Sequence, residues 1–222
     1  GLKPTFHSIK MDGIQPLAKS IDNVGPMVRN GKDCELIYSI LNSKQNIEYK
    51  KIKNLKIGII EHFYNKDIIA DDEVASSFEK TIKIFEKCGA KINKVNLQHL
   101  MTYHQVNGTI MAREGYLQNK NIIKIKRDIM SEITYKRLIL GRSITDENYN
   151  KCIGQKKELS LEINEILNRY DILLTLTNFD LPFDIGNIEQ IEKQYMRHAR
   201  SPFNVSGHPS VSIPCGLSKT EL

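Results

Sequence analysis

Residues 55–97 carry the pattern that most narrows the fold. Leu55-Lys56-Ile57-Gly58-Ile59-Ile60 reads as a strand. Asp71-Asp72 supplies a helix start, with acids at the favourable end of the helix dipole. Val74, Phe78, Ile82 and Phe85 then recur at helical spacing, and Gly89 stands where a C′ residue belongs. Lys91 to Leu97 alternates as a second strand. A strand, a helix and a strand in this order predict a βαβ crossover and a largely parallel sheet.

The rest of the chain fits that class. Gly1 to Thr5 reads as a strand end, followed by a loop to about Met27 punctuated by Asp22-Asn23 and Gly25-Pro26. A helix is predicted from Lys32 to about Asn42, with Cys34, Ile37, Ile40 and Leu41 as its apolar stripe. Ser43 to Asn54 is polar and lysine-rich, an exposed connection. Gln98 to Tyr170 reads as helices, broken at Gly141 and restarted by Thr145-Asp146-Glu147. Leu159, Ile163, Ile166 and Leu167 give the last of them a buried face. Tyr170 to Leu176 reads as a buried strand, and a short helix is expected at about Ile188 to His198. The fold class expected is α/β, a mixed, largely parallel sheet flanked by helices, in a single domain over residues 1–222.

Composition excludes more than it assigns. Hydrophobic content of 40% and charged content of 26% are those of an ordinary globular chain. No run of eighteen apolar residues occurs, so no membrane-spanning helix is predicted. A net charge of +6 admits nucleic acid as a partner. The densest basic run, Lys120 to Arg127, lacks the interleaved aromatic residues of a single-strand binder and reads as a solvated helix face. Cys34, Cys88, Cys152 and Cys215 are too far apart to spell a zinc or redox pair. Widely spaced thiols with no export signal predict a cytoplasmic setting. Cys215, beside Pro214, reads as a buried structural thiol.

The stretch Ala199 to Gly216 reads as a polar lead, a turn and a strand. Pro202 biases Ser201 away from helix, and Asn204 can tie its amide to nearby backbone. Ser206-Gly207-His208-Pro209 reads as a sharp turn in which Gly207 can take positive φ. Val211 and Ile213 then alternate with Ser210, Ser212 and Pro214. Its apolar-Asn-x-x-Gly-x-Pro run, with a strand ending in Pro-x-Gly, resembles the closing segment of the amidase signature family. Gly1-Leu2-Lys3-Pro4-Thr5 resembles the segment that follows that family's signature. Pro16 to Met27 resembles its Ser-x-Asp-x-x-Gly-Pro stretch. The three matches fall in the family's order and span nearly the whole chain.

The resemblance implies a hydrolase of carbon–nitrogen amide bonds, using a nucleophilic serine, a second serine in a cis peptide and a lysine, with no metal or organic cofactor. The family places all three upstream of its Gly-Leu-Lys-Pro segment. The chain, which starts on Gly, therefore reads as the C-terminal portion of an amidase-type domain. No catalytic, cofactor-binding or metal-binding residue is assigned within 1–222, and the isolated chain is expected to be inactive. The partner expected is a small-molecule amide, with a homodimer left open and neither nucleic acid nor membrane expected. An amidotransferase A-type subunit that acts on charged tRNA, or a non-catalytic truncated member, is the alternative.

Substitutes for the missing chemistry are weak. Ser77 and Lys80 fit a Ser-x-x-Lys pattern, but on a helix whose buried face is Val74, Phe78, Ile82 and Phe85. Lys19 and Ser20 are adjacent and point apart. No G-x-S-x-G elbow is spelled. His99 and His104 are five apart, the wrong spacing for a helical metal pair. His7 stands where the family often has Gly, and His208 reads as turn packing. Asp22 reads as an Asx-type turn residue bonding backbone near Gly25. Leu176 stands where the family often has Pro, in a loop that lines the family's substrate cleft.

Overall fold

The computed structural model describes residues 1–43, 51–125 and 127–219. Most of the lysine-rich connection, including Lys44 and Lys50, lies outside the described residues, as does Lys126. In chain order the elements begin with β1 (Leu2–Lys3), α1 (Gly31–Asn42), β2 (Lys56–Ile59), α2 (Asp72–Lys87), β3 (Lys91–Lys94) and α3 (Leu100–Ile125). They continue with α4 (Glu132–Ile139), α5 (Asp146–Leu167), β4 (Ile172–Leu174), α6 (Ile188–Gln194), α7 (Ser201–Ser206) and β5 (Ser210–Val211). The described residues divide into two compact units: 1–43, 103–125, 127–160 and 203–211 in the first, and 51–102, 161–202 and 212–219 in the second.

The second unit holds the crossover. β2 and β3 run parallel with Ile57 opposite Ile92, and β4 joins the other side of β2, also parallel, with Ile57 opposite Ile172. The strand order is β3-β2-β4. β2 lies in the centre, so Ile57, Ile59 and Ile60 are buried. β4 is half-buried, where its apolar run predicted a buried strand, and among the described residues it is paired on one side only. Asp171 zips it to β2 twice: its N–H donates to the Lys56 carbonyl, and its carboxylate accepts from the Lys56 N–H, both at 2.8 Å.

Each end of α2 is made as the sequence spells it. The Asp71 carboxylate accepts from the N–H groups of Glu73 and Val74. At the other end the Gly89 N–H reaches the Glu86 carbonyl and the Ala90 N–H the Phe85 carbonyl, closing a Schellman turn on Gly89 at φ +87°. Phe78 is buried edge-on against Tyr64, ring centroids 5.4 Å apart.

A buried carboxylate organises the turn after β2. Asp67 accepts from the Leu100 N–H at 2.7 Å and from His62 Nδ1 at 3.1 Å, and His99 Nε2 lies 3.5 Å away. The Leu97 N–H donates to His62 Nε2 at 3.2 Å, so the His62 proton sits on Nδ1 and points at the carboxylate. His99 is thereby drawn to Asp67, while His104 is buried farther along α3.

The first unit is helical around a short ribbon. Tyr103, Val106, Ile110, Ile123, Cys152, Leu159 and Val205 are buried in it. Gly141 lies in a turn (Leu140–Arg142) packed so closely on α3 that a Cβ there would sit 1.9 Å from the Ala112 carbonyl oxygen. The Thr145 hydroxyl caps α5 by accepting from the Asn148 N–H. β1 and β5 form a two-stranded antiparallel ladder, Leu2 opposite Val211 and Lys3 opposite Ser210.

Two local expectations are corrected. The lead into the closing stretch is a helix, α7, with Ser201 first and Pro202 second. A proline in the first turn lacks only an N–H that would be unbonded there anyway, so it starts the helix instead of preventing it. The closing strand is also shorter than its alternation suggests: β5 ends at Val211, and Val211 and Ile213 are exposed.

Candidate functional site

Three segments far apart in sequence meet in the first unit. β1 brings in Leu2 and Lys3. The Leu2 N–H donates to the Pro26 carbonyl at 3.0 Å, and the Asn23 side-chain amide donates to the Pro4 carbonyl at 3.0 Å. The Phe6 N–H donates to the Gly207 carbonyl at 2.9 Å. Residues 1–6, 23–26 and 207–211 are thus joined by hydrogen bonds from backbone and side-chain amides, with Pro4 and Pro26 buried at the junction.

Sequence details make that approach possible. A Cβ on Gly25 would stand 1.9 Å from the Leu2 carbonyl oxygen and 2.7 Å from Pro4 Cδ. Gly207 has φ +75°, and a Cβ there would also press on Phe6 Cβ at 3.1 Å. His7 has φ +62°, a left-handed backbone that glycine adopts with less strain.

Side chains then fix the middle segment. Asp22 accepts from the N–H groups of Leu17 and Ala18 at 2.8 and 2.9 Å, behind it in the chain and not near Gly25. The reason is geometric: the Ile21 and Asp22 N–H groups both turn back onto the Ala18 carbonyl, which brings the carboxylate over residues 17 and 18. Buried Glu114 on α3 accepts from the Ser20 N–H at 2.9 Å and from the Tyr149 hydroxyl at 2.7 Å. Asn204 donates to the Asn107 side-chain oxygen on α3 at 2.8 Å, instead of tying its own turn. The Ser160 hydroxyl donates to the Ser206 carbonyl at 3.0 Å.

The cations at the junction are half-buried. Burial lowers the Lys3 ammonium to about 8, and its Nζ donates to the Pro4 carbonyl at 3.0 Å. Burial, and secondarily the Lys3 charge, lowers His208. Burial lowers Lys156 against the opposing pull of Glu114, and its Nζ sits over the Phe6 ring at 5.2 Å. Burial, with the hydrogen bond to Glu114 next, raises Tyr149. Geometry and electrostatics together make this a bracing junction, in which the polar groups hold one segment to another.

The weak catalytic candidates are not drawn into it. Ser77 and Lys80 stay on α2 in the second unit, with Lys80 exposed. Lys19 is exposed, and the Ser20 backbone is held by Glu114. Among the described residues no group of three or more His, Cys, Asp or Glu side chains is placed to hold a metal ion. Lys120 and Lys124 are exposed on α3, and Arg127 stacks 3.9 Å over Tyr135 while pairing with Glu132 at 2.5 Å.

The family model described as Amidase matches residues 1–222. The chain belongs to the amidase signature family. Among curated relatives it is 23% identical to the A-type subunit of glutamyl-tRNA(Gln) amidotransferase from Thermotoga maritima, over 98% of this chain and 54% of that one. It is 24% identical to the same subunit from Alkaliphilus metalliredigens, over 100% of this chain and 53% of that one. The solved Thermotoga maritima subunit superposes with a TM-score of 0.78 at 25% identity, covering 99% of this chain and 51% of that one. A crystal structure described as amidase superposes with a TM-score of 0.82 at 22% identity, covering 94% and 49%. The chain spans about half the length of the curated relatives it matches.

Within the amidase signature fold, the junction is where the three resembling segments come together. Sequence reasoning missed Glu114 and Tyr149, which sit in helices with no motif of their own. The neighbours of Glu114 on α3 are mostly half-buried, so no apolar run around it marked it out. A buried carboxylate needs a partner, but the sequence does not say which.

Proposed function

We propose that residues 1–222 are the cleft-bracing C-terminal portion of an amidase-type hydrolase of carbon–nitrogen amide bonds. The observation that carries the reading is the junction itself: the three segments resembling the family's are brought together by the Leu2–Pro26, Asn23–Pro4 and Phe6–Gly207 bonds. The reading places the nucleophilic serine, the cis-serine and the lysine before Gly1, with no catalytic residue inside 1–222. In that chemistry a neutral lysine takes a proton through the cis-serine, and the nucleophilic serine attacks the amide carbon. The amine leaves with a proton, and water then hydrolyses the acyl-enzyme. Residues 1–222 contribute a rigid frame, one amidase-type domain with the preceding chain, and no metal or organic cofactor. The four free thiols fit a cytoplasmic setting, and a homodimer is compatible with the reading.

A second reading is favoured by the names of the curated relatives, the A-type subunits of glutamyl-tRNA(Gln) amidotransferase. Under it, the ammonia released would pass to a charged tRNA in a complex. One experiment separates them. The longer reading frame that contains this chain is expressed, and ammonia release is measured from simple amides and from glutamine, with and without glutamyl-tRNA(Gln) and partner subunits. Release from simple amides without partners is expected. Release only with glutamine and the tRNA complex would favour the amidotransferase. No release under any condition would make the protein a non-catalytic member.

A further inference from the structure

The crossover gathers five lysines at the end of its sheet where the strands begin. Lys56 and Lys91 open β2 and β3 and stand opposite one another in the parallel register. Neighbouring strands lie about 5 Å apart, so the two lysines leave the sheet side by side. Lys53 lies against Gly89, its Cγ 3.3 Å from the position a Cβ there would take. The adjoining Asn54 N–H donates to the Gly89 carbonyl at 2.8 Å. Lys87 ends α2 two residues before Gly89, and Lys51 stands two residues before Lys53. All five lysines are exposed, and none enters an ion pair among the described residues. Against them stand Glu86 and Asp171, the latter with its carboxylate on the Lys56 N–H. Arg169 and Glu165, four residues apart at the end of α5, offset one another. At the other end of β3 the arrangement differs: Lys94 has the Glu61 carboxylate at 2.7 Å.

A cation at a helix C-terminus is favoured by the helix dipole, which accounts for Lys87. It does not account for Lys51, Lys53, Lys56 and Lys91, which stand on a loop and at two strand starts. We propose that this end of the sheet is a docking face for the phosphate backbone of a folded, double-helical RNA. A row of phosphates supplies the counter-charge that these lysines lack, and backbone contacts need no sequence-reading side chain. A protein partner fits less well. Protein interfaces are depleted in Lys and centre on aromatic or Arg anchors, and no exposed aromatic side chain stands among these lysines. The same lack argues against a single strand, which is held by stacking. The face is built from a loop, two strand starts and the last turn of α2, with no helix laid along it to enter the major groove of DNA. An RNA duplex is held instead by its shape and its backbone. Lys120 and Lys124, from the densest basic run of the sequence, lie on α3 in the first unit and take no part. The sequence alone does not show the face, because Lys87 and Lys91 join the other three only through the fold.

This inference uses none of the amide chemistry, so it stands or falls apart from the proposed function. The test is fluorescence anisotropy of the full protein with a labelled RNA duplex of about 16 base pairs. Binding is expected at low salt and should weaken about 10²- to 10³-fold between about 50 and 200 mM salt, as about five phosphate contacts require. Lys53→Gln/Lys87→Gln/Lys91→Gln should weaken it at least about tenfold and flatten the salt slope, because each lysine releases counterions on binding. Lys120→Gln/Lys124→Gln should leave the affinity within about twofold. A second measurement needs no variant: acetylation of Lys53, Lys56 and Lys91, read by peptide mass, should slow when the RNA is added, and that of Lys120 and Lys124 should not. No binding at low salt would overturn the proposal, and so would equal loss per charge in the two variants or unchanged acetylation at the three lysines. A DNA duplex of the same sequence bound as tightly, or polyglutamate displacing the RNA at equal charge, would assign the face to another polyanion and overturn it too.

Discussion

The carbonyl oxygen of Leu2 occupies the place where a side chain on Gly25 would begin, 1.9 Å from an ideal Cβ. The glycine of the Gly25-Pro26 pair is therefore needed for close approach. Gly25→Ala forces β1 and the loop apart and disturbs the Leu2–Pro26 and Asn23–Pro4 bonds. The expected loss is roughly 1–3 kcal/mol or more, since the obstruction is backbone and cannot swing away. Urea unfolding measures it, and an unchanged midpoint would contradict the packing described.

Two neighbouring positions should respond in opposite directions. Gly207 has φ +75° and His7 has φ +62°. Gly207→Ala is expected to lower stability by about 1 kcal/mol or more, and His7→Gly to raise it by up to about 1 kcal/mol. Thermal midpoints of the two variants should fall on either side of the parent. A stabilised Gly207→Ala would show that the turn relaxes to another backbone conformation.

Glu114 ties α3 to the loop at Ser20 and to Tyr149. Glu114→Ala leaves the Ser20 N–H and the Tyr149 hydroxyl without that acceptor, and about 1–3 kcal/mol of stability should be lost. Glu114→Gln keeps one acceptor oxygen and should recover part of it. Amide exchange at Ser20 is the sharper measurement: it should accelerate in Glu114→Ala, and an unchanged rate would contradict the assignment.

The half-buried Lys3 at the junction gives a pH dependence with a definite sign. Lys3 falls from the ordinary 10.5 to about 8 on folding. Between those values the unfolded chain holds the proton more tightly, so stability rises with pH from about 8 to 10.5. Below about 8 the full desolvation penalty of the half-buried ammonium is present. His208, also lowered, adds a rise of the same sign at lower pH, complete by about its ordinary value of 6.5. Tyr64, pushed up to about 12 by burial first and by Glu61 and Glu79 after it, opposes the trend only above about 10. Lys3→Met should flatten the rise between pH 8 and 9.5 in a thermal-midpoint series. A parallel curve for the variant would mean that Lys3 is solvated in the folded state.

The crossover was legible because its signals are local. Asp71, the apolar stripe through Phe78 and the glycine at position 89 each act within a turn of where they stand, and each appears as spelled. The junction was legible only through resemblance. Nothing near Gly25 announces the Leu2 carbonyl, and nothing near Asn204 names Asn107, ninety-seven residues away. Asp22 shows the intermediate case: its backbone-bonding type follows from its chemistry, but whether it reaches forward or back depends on how the loop folds onto Ala18. The α7 helix was hidden by Pro202, whose restriction on the preceding residue is real in isolation and is overridden in a first helical turn. The stripe on α1 was read correctly as apolar, but a sequence pattern cannot say whether its partner lies within the same 222 residues.

The most direct measurement of the central claim is to locate the reactive serine. The longer chain is treated with a fluorophosphonate probe, digested, and the modified peptide identified by mass. The expected result is a single labelled serine before Gly1, with no label on residues 1–222 and no turnover by residues 1–222 alone. Label on a serine within 1–222, such as Ser20 or Ser77, accompanied by loss of amide hydrolysis, would contradict the assignment of this chain to bracing rather than chemistry.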